Sequence, residues 1–510
     1  MGIHYITGRS GSGKTMQVYR EIRRALERGD SRLILMVPEQ FTLQAERDLI
    51  RKLNLPGLLD VEVLSFSRLA HRVFNEVGGL TQIHINDQGR RMILRRLLDS
   101  CRDRLTVYKT VSGQSGFIEQ ISDLLTDLKQ HDITPEQMRR EAEALDSNEL
   151  LSGKLKDTAQ IYEEFNHYLK DRYIDSEDAV NALIERMDQS SFLSGARIWM
   201  DGFDYYPPQT IRVMEKLAVL ARDLTITFTV GLDDTGRDQD VFRVHALSLQ
   251  KVRRMAKELH KKERFTHLTG SGRGSSQDPE APEIRHLERE LYHYPYRTWP
   301  GAVHHIEAFA GNNPESEVEN LAARIVSLTR EKGWRFNEIA VVSGDMEVYG
   351  GIIKRVFLEY DIPFFLDEKR PVMENPIVDL VLTVLHVVRR GYRYEDVFKL
   401  LKTGFCGLST DETEQLENYC LEFGIRGKGW REPFTFGESD ETLAALNDCR
   451  KRFVSPCLLL EKRLKRSSTV EGMVKALYQY LTEIHLQEQL REWIRELREM
   501  GKLDQVNENA

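Results

Sequence analysis

The stretch Gly8-Arg9-Ser10-Gly11-Ser12-Gly13-Lys14-Thr15 follows the short apolar run His4-Tyr5-Ile6 and precedes residues 16–26, whose pattern predicts a helix. A strand, a glycine-rich loop and a helix in this order form the context of a phosphate-binding P-loop. Glycines let backbone N–H groups turn toward phosphate oxygens, and the helix N-terminus adds partial positive charge. We therefore expect the whole stretch to bind a nucleotide, with Lys14 at the β- and γ-phosphates and Thr15 holding Mg²⁺. The alternative, a flexible Gly/Ser loop, is disfavoured by the flanking strand and helix.

The composition favours a globular protein with many exposed helices, since 41% of its 510 residues are hydrophobic and 30% are charged. The net charge of -8 gives no global basic field, so any DNA binding needs local patches. The five cysteines form no CxxC pair, which favours reduced, buried thiols over a metal or iron–sulfur site. No apolar run approaches a membrane span, and the N-terminus enters a predicted strand at once, so a cytoplasmic location without membrane contact is expected.

Strands and helices alternate at the start of the chain, which predicts a parallel sheet covered by helices. Residues 33–37 and 61–65 are apolar runs typical of buried parallel strands. Ligands of such sheets gather at the carboxyl ends of the strands. Polar and aromatic residues just past those ends are candidates for contact with nucleic acid: Gln40, Thr42, Phe66, Arg68 and His71. Helix capping and packing explain these residues equally well.

Residues 86–189 carry apolar residues at helical spacing, which predicts a helical insertion into the sheet domain. This region holds the densest basic cluster in its half of the chain: Arg90, Arg91, Arg95, Arg96, Arg102 and Arg104. Such a cluster is usually a solvated helix face, and the alternative is a track for a DNA backbone.

The sheet is predicted to resume at Arg197-Ile198-Trp199-Met200-Asp201, an apolar strand ending in an acid, and a further strand is predicted at 224–230, ending at Asp233-Asp234. The first of these has the form of a Walker B strand, whose aspartate holds Mg²⁺ opposite the P-loop hydroxyl; an ordinary buried strand ending in an Asp-Gly turn is the alternative. The residue after Asp201 is Gly202, where many motor ATPases place the glutamate that activates water, and Asp204 is displaced. We therefore expect a site that binds ATP and Mg²⁺ but hydrolyses ATP weakly.

The second half of the chain predicts another α/β unit, with strands at 305–309, 339–342 and 363–365 and helices between them. Beyond residue 377 the pattern is almost wholly helical. The expected fold is α/β: a P-loop NTPase with two RecA-like parallel-sheet domains and large helical insertions. The predicted divisions are a first RecA-like domain (1–85 and 190–266), the helical insertion (86–189), a linker (267–300), a second RecA-like domain (301–390) and a helical, truncated subdomain (391–510).

Several motifs together resemble the N-terminal part of the B subunit of the AddAB helicase–nuclease and, more distantly, superfamily-one DNA helicases of the UvrD and RecB type. The resemblance covers essentially the whole chain and is carried by the P-loop together with Val37-Pro38-Glu39-Gln40, Ser65-Phe66-Ser67-Arg68-Leu69-Ala70, Asp201-Gly202-Phe203, Pro208-Gln209, Glu317, Glu319, Ala322-Ala323-Arg324-Ile325 and Glu338-Ile339-Ala340-Val341.

The resemblance implies a subunit that processes double-strand DNA breaks for recombination, as the heterodimeric partner of an AddA-like helicase–nuclease. In that family the B subunit grips one single strand and recognises the regulatory Chi sequence. The positions that match its strand-contacting motifs are Gln40, Thr42, Phe66, Arg68 and Phe203. His71 stands where relatives can have tryptophan, which weakens a base-stacking role there.

The chain departs from the family pattern in two respects. Ser343 stands where active helicases carry an arginine near the γ-phosphate, which agrees with Gly202 in predicting weak turnover. The nuclease carboxylates and the four iron–sulfur cysteines of the family find no match, so the resemblance implies an N-terminal fragment, a truncated protein or a split-gene product, which is not expected to cut DNA by itself. Two competing hypotheses are an autonomous ATP-driven helicase and a nucleotide kinase-like enzyme.

Overall fold

The computed structural model describes residues 2–54, 57, 60–78, 82–145, 149–231, 239–269, 281–367, 375–437 and 439–502. The chain forms two compact units, one up to Phe309 and the other from Ala310 onward. Most of the glycine- and serine-rich part of the predicted linker lies outside the described residues, as does Asp233-Asp234 after the strand predicted at 224–230.

The first unit is built on a parallel sheet of six strands, in the order β3-β2-β6-β7-β1-β8. A separate parallel pair joins β4 to β5. The strands in chain order are β1 (Gly2–Gly8), β2 (Leu33–Met36), β3 (Val61–Leu64), β4 (Ile83–His84), β5 (Tyr173–Ile174), β6 (Arg197–Met200), β7 (Asp223–Thr229) and β8 (Lys262–His267).

The inner strands β2 and β6 are largely apolar runs because helices cover both faces of the sheet. All four residues of β2 are buried, and so are Ile3, Tyr5 and Ile6 of β1. β1 pairs with β7 on one side and with β8 on the other, so β1 is not an edge strand. The loop after Gly8 therefore begins at the carboxyl end of an inner strand. The prediction of a parallel α/β sheet with strands at 4–6, 33–37, 61–65, 197–201 and 224–230 is confirmed.

Helices connect the strands of the first unit, because parallel neighbours need crossover connections. They are α1 (Lys14–Glu27), α2 (Thr42–Leu53), α3 (Phe66–Val77), α4 (Asp87–Cys101), α5 (Ser115–Gln130), α6 (Pro135–Ala144), α7 (Glu149–Leu169), α8 (Ser176–Arg186), α9 (Pro208–Leu220), α10 (Gln239–Glu258) and α11 (Pro282–Glu290).

Apart from the short strands β4 and β5, the described residues between β3 and β6 form mainly helices, and α4, α5 and α7 share one apolar core. Buried charges link this region internally: Lys129 of α5 lies 2.6 Å from Asp175 and 2.7 Å from Asp178. Arg90 is 5% exposed and lies 2.8 Å from Glu177.

The six arginines of the predicted basic cluster make contacts inside this region. Arg91 and Arg104 pair with Glu119 and Glu164 at 2.7 Å each. Arg95 donates to the Gly113 carbonyl and Arg102 to that of Lys109, while Arg96 lies over the Tyr168 ring. Each of the six arginines thus has a contact within this region, and Arg90, at 5% exposed, is too buried for the solvated face that the spacing suggested.

Among its described residues, the second unit contains helices and connecting segments but no strand. Its helices are α12 (Pro314–Glu331), α13 (Met346–Glu359), α14 (Pro376–Arg390), α15 (Tyr394–Leu401), α16 (Thr410–Glu422), α17 (Asp440–Arg466), α18 (Val470–Glu483) and α19 (Leu486–Glu499). Helices α14 to α19 enclose a single core around the fully buried Trp430.

The three strands predicted at 305–309, 339–342 and 363–365 are wrong for the described residues, because none of these segments pairs in a sheet. The helices predicted between them are present as α12 and α13, which pack on each other. The apolar pattern of 339–342 and 363–365 reflects contact with these helices on one side only. Val342 is 93% exposed and Phe365 is 89% exposed. In a sheet, a neighbouring strand or layer would cover these side chains, but here they face solvent.

Among the residues described by the structure, no helix combines the length and the apolar character needed to cross a membrane.

Candidate functional site

The loop between β1 and α1 has the backbone geometry of an anion-binding turn. Gly11 and Gly13 have φ of 70° and 89°, a left-handed conformation that glycine adopts without strain. At Gly8 a Cβ would lie 2.6 Å from the carbonyl oxygen of Leu268, so this close approach also requires glycine. α1 starts at Lys14, directly after Gly13, and its N-terminal N–H groups face the loop.

Lys14 crosses this loop and donates from Nζ to the carbonyl oxygens of Gly8 at 3.0 Å and Arg9 at 2.9 Å. Burial lowers the pKa of Lys14, and the nearby carboxylate of Asp201 only partly opposes this shift. The hydroxyl Oγ of Ser12 is buried and has no hydrogen-bond partner among the described residues. The loop thus offers a cation and an unsatisfied hydroxyl to an incoming anion.

Asp201 follows β6 and is 8% exposed. Its Oδ1 accepts a 2.7 Å hydrogen bond from the Thr227 hydroxyl of β7, which fixes the carboxylate on the sheet. The hydroxyl-bearing Thr15, in contrast, is exposed in the first turn of α1. Within the described ranges no group of three or more His, Cys, Asp or Glu residues could hold a metal alone. A Mg²⁺ ion here would take one carboxylate and one hydroxyl from the protein and its other ligands from nucleotide and water, which suits its preference.

The position after Asp201 has a backbone reason to be glycine. Gly202 has φ of 79°, a conformation that a glutamate would adopt only with strain. The displaced acid, Asp204, has an 87% exposed side chain and lies 3.7 Å from Nε2 of His245. Burial lowers the pKa of His245, although Asp204 opposes the shift. Among the described residues 202–204, which directly follow Asp201, no buried carboxylate is therefore present that could act as a catalytic base.

Arg9 fastens the glycine-rich loop to two later helices. Its Nε lies 2.5 Å from Oε1 of Glu288 on α11, and its Nη2 donates to the Glu288 carbonyl at 2.9 Å. Its guanidinium carbon lies 4.8 Å from the centre of the Phe242 ring on α10.

The candidate DNA-contacting residues follow β2, β3 and β6, which are neighbours in the sheet. Phe66 begins α3, and its ring centre lies 5.4 Å from that of Phe203 after β6. Phe66 and His71 line a cavity of about 220 Å³ together with Phe74 and Pro207. The structure therefore brings Phe66, His71 and Phe203 together beyond the carboxyl ends of β3 and β6. We call this the carboxyl edge of the sheet.

The polar members of the set differ in how accessible they are. Gln40 is exposed in the short 3-10 turn Glu39–Phe41. Arg68 is exposed and lies 2.9 Å from Glu46, an ion pair that a phosphate could replace. Thr42 is only 5% exposed, and its hydroxyl donates to the Glu39 carbonyl at 3.1 Å, so the capping explanation fits its present contacts.

Sequence reasoning missed Thr227, His245 and Glu288 as neighbours of the glycine-rich loop and of Asp201 and Asp204. Thr227 had a signal, because a buried strand that alternates threonine with apolar residues needs hydrogen-bond partners for its hydroxyls. His245 and Glu288 had none, since only the crossover through α10 and β8 brings them to the loop.

The fold and this edge of the sheet define the class: a parallel α/β protein with a glycine-rich loop at the carboxyl end of an inner strand, facing an acid at the end of a second. Within this class, residues 5–288, more than half of the chain, match the family described as ADDB, N-terminal, and the chain belongs to that family.

Relatives that are similar along the whole chain are named as the B subunit of an ATP-dependent helicase/deoxyribonuclease. The protein of Alkaliphilus oremlandii is 46% identical, with 100% of this chain and 46% of that protein covered. Its counterpart in Alkaliphilus metalliredigens is 45% identical over the same shares, and that of Clostridium novyi is 34% identical over 98% of this chain and 44% of its own length. The chain thus spans about half the length of the curated relatives that it matches.

Proposed function

We propose that the chain is the nucleotide-binding, strand-gripping region of a helicase–nuclease B subunit that processes DNA ends. Its first unit then is a P-loop NTPase domain of RecA-like type, which binds Mg²⁺–ATP at Gly8 to Thr15. The observation that supports the proposal is the position of Lys14, in the loop after β1, near the carboxylate of Asp201, which follows β6 in the same parallel sheet. Thr15 is the next residue after Lys14 in the first turn of α1. The name of the relatives, which includes ATP dependence, supports the choice of nucleotide.

Each group has a distinct role in binding. Lys14 exchanges its two bonds to loop carbonyls for bonds to the β- and γ-phosphates, while loop N–H groups take further oxygens. Asp201 and the Thr15 hydroxyl would hold Mg²⁺, which neutralises phosphate charge when bound. Because Gly202 supplies no base, the nucleotide is bound and hydrolysed slowly.

DNA binding is proposed for the edge formed by Phe66, His71 and Phe203, with Gln40, Thr42 and Arg68 beside it. The Phe66 and Phe203 rings are half-buried against the core of the first unit, and their exposed parts would contact an unstacked base, while Arg68 offers a cation to phosphate. This surface suits a single strand better than a duplex, since the bases of a duplex are already stacked.

We further propose a helicase–nuclease A-type subunit as partner, double-strand break repair as the process and a Chi-like sequence as the regulatory target. The second RecA-like domain stays a prediction, because its helices are present without a sheet in the described part of the chain.

The test is equilibrium binding of ATP with Mg²⁺ to the 510-residue chain and its Lys14→Ala variant. Loss of charged hydrogen bonds to phosphate is expected to cost about 2 kcal/mol, or roughly 30-fold in affinity. Lys475→Ala is the matched control, because this lysine is exposed and pairs with Glu471 in its own helix. Equal affinity of the Lys14 variant and the wild type would overturn the proposed site.

A further inference from the structure

A second cavity, of about 440 Å³, opens directly beside the glycine-rich loop. Its volume lies within the range of about 300–1,000 Å³ that is usual for small-molecule sites. Loop residues form one wall, and α10 together with the segment from α11 to Tyr292 forms the others. Its lining includes Arg9, Ser10, Phe242, Leu287, Leu291 and Tyr292.

The cavity is fixed to the phosphate-binding loop. Arg9 holds α11 through two hydrogen bonds to Glu288, and the same guanidinium lies on the ring of Phe242. Gly231, after β7, would bring a Cβ to 3.1 Å from the Arg9 guanidinium, so the backbone closes around this contact. A ligand whose phosphates lie in the loop therefore has the cavity next to it, since Arg9 and Ser10 belong to both.

The cavity wall presents apolar groups that remain exposed. Leu287 is 41% exposed, Leu291 59%, Tyr292 66% and Val241 43%. Such exposed apolar area is usually covered by a ligand or partner. Phe242 and Tyr292 add aromatic rings, which stack on planar heterocycles at little conformational cost.

We propose that this cavity receives the base of the nucleotide whose phosphates occupy the loop, a step that rests on the proposed nucleotide binding. The base would lie against Leu287 and Tyr292, while the Phe242 ring, which has the Arg9 guanidinium on one face, completes the lining. Continuity with the loop favours this occupant, because the wall begins at Arg9 and Ser10, two residues of the phosphate loop itself. A protein segment covering the same wall is the competing outcome.

The experiment separates the base from the phosphates. Dissociation constants for ATP and for inorganic tripolyphosphate, both with Mg²⁺, are measured on the 510-residue chain. The wall variants are Tyr292→Ala, which removes an exposed ring, and Leu287→Trp, which fills the cavity from an exposed position. We expect both variants to weaken ATP binding by about 5- to 10-fold, the lower end of base–aromatic stacking, and to leave tripolyphosphate binding unchanged.

Tyr296→Ala is the matched control, because Tyr296 is equally exposed at 69% and does not line the cavity. Unchanged ATP affinity in both wall variants would overturn the base site while leaving the phosphate site intact, and would favour the protein-segment alternative. Equal weakening of ATP and tripolyphosphate would also overturn it, since the wall would then only support the loop. A wild type that binds neither ligand would instead sink the proposed function, and the base site with it.

Discussion

At the scale of single residues, the protonation state of Lys14 decides how strongly the loop binds a phosphate. Its ammonium group is partly buried and bonded to loop carbonyls, with Asp201 as the nearby carboxylate that opposes the lowered pKa. The cation is therefore lost at a lower pH than that of a free lysine. Binding of phosphate requires the charged form, so proton loss from Lys14 competes with nucleotide binding.

This competition predicts a pH dependence with a defined sign. ATP affinity should be flat near neutrality and fall as the pH rises through the lowered pKa of Lys14 in the free protein, by up to about tenfold per pH unit. Titration calorimetry at several alkaline pH values measures the profile. In Lys14→Arg the guanidinium stays charged, so its profile should be flat whatever its affinity. A wild-type profile that is also flat, up to the ordinary lysine pKa, would contradict the assignment of Lys14 to phosphate.

The residues of the candidate site show which of its parts could be predicted from the sequence. Lys14, Thr15 and Asp201 are predictable because each occupies a fixed offset from a strand or glycine, and local geometry then places it. Glu288, Phe242 and Tyr292 could not be predicted, because they reach the loop from more than 200 positions away through a long-range packing arrangement. In the sequence Gly202 indicates a missing base, and the structure adds that its φ of 79° itself favours glycine.

At the scale of elements, buried charges hold α5 against the N-terminus of α8. Asp175 is the N-cap of α8 and accepts from the Asp178 N–H, while Lys129 of α5 bridges both carboxylates. Burial opposes ionisation of Asp175, but the Lys129 ammonium outweighs it and keeps the pKa of Asp175 below its usual value. Burial and the neighbouring Asp175 carboxylate raise the pKa of Asp178 despite Lys129.

Lys129→Met should therefore destabilise this contact by about 3–5 kcal/mol, since it leaves the buried carboxylate of Asp175, whose side chain is 1% exposed, without its cation. The loss should be larger at pH 7 than at pH 5: without Lys129 the folded-state pKa values rise above the unfolded ones, and the penalty grows as the pH rises. Hydrogen exchange of peptides from α5 and α8 measures the local opening. The exposed Lys156→Met on α7 is the control. Unchanged exchange in α5 and α8 would refute this role of Lys129.

The strands show where sequence patterns are informative and where they are not. The inner strands are predictable because burial on both faces demands continuous apolar runs. β8 escapes prediction because Lys262–His267 is an edge strand whose side chains are largely exposed and charged. The segments 305–309, 339–342 and 363–365 fail in the opposite sense: their apolar residues predict strands, although the described residues offer them no ladder partner.

At the scale of the whole molecule, the two units contribute differently to the proposed function. The first contains the loop, the acid, the base cavity and the candidate DNA edge, and residues 5–288 of it match the ADDB, N-terminal family. The second consists of helices around its own cores in the described residues. The chain covers 46% of the length of the Alkaliphilus relatives. Of the activity of a whole helicase–nuclease, we therefore propose for this chain only the binding steps that its first unit can perform.

The central claim is that the chain binds Mg²⁺–ATP through Lys14 but turns it over slowly. Steady-state hydrolysis by the 510-residue chain, with and without single-stranded DNA, tests it most directly when ATP binding is measured on the same sample. We predict saturable binding that Lys14→Ala weakens, with turnover below about 0.1 s⁻¹ in both conditions, well under the roughly 1–10³ s⁻¹ of typical enzymes. DNA-stimulated turnover above about 1 s⁻¹ that Lys14→Ala abolishes would contradict it and establish an autonomous motor.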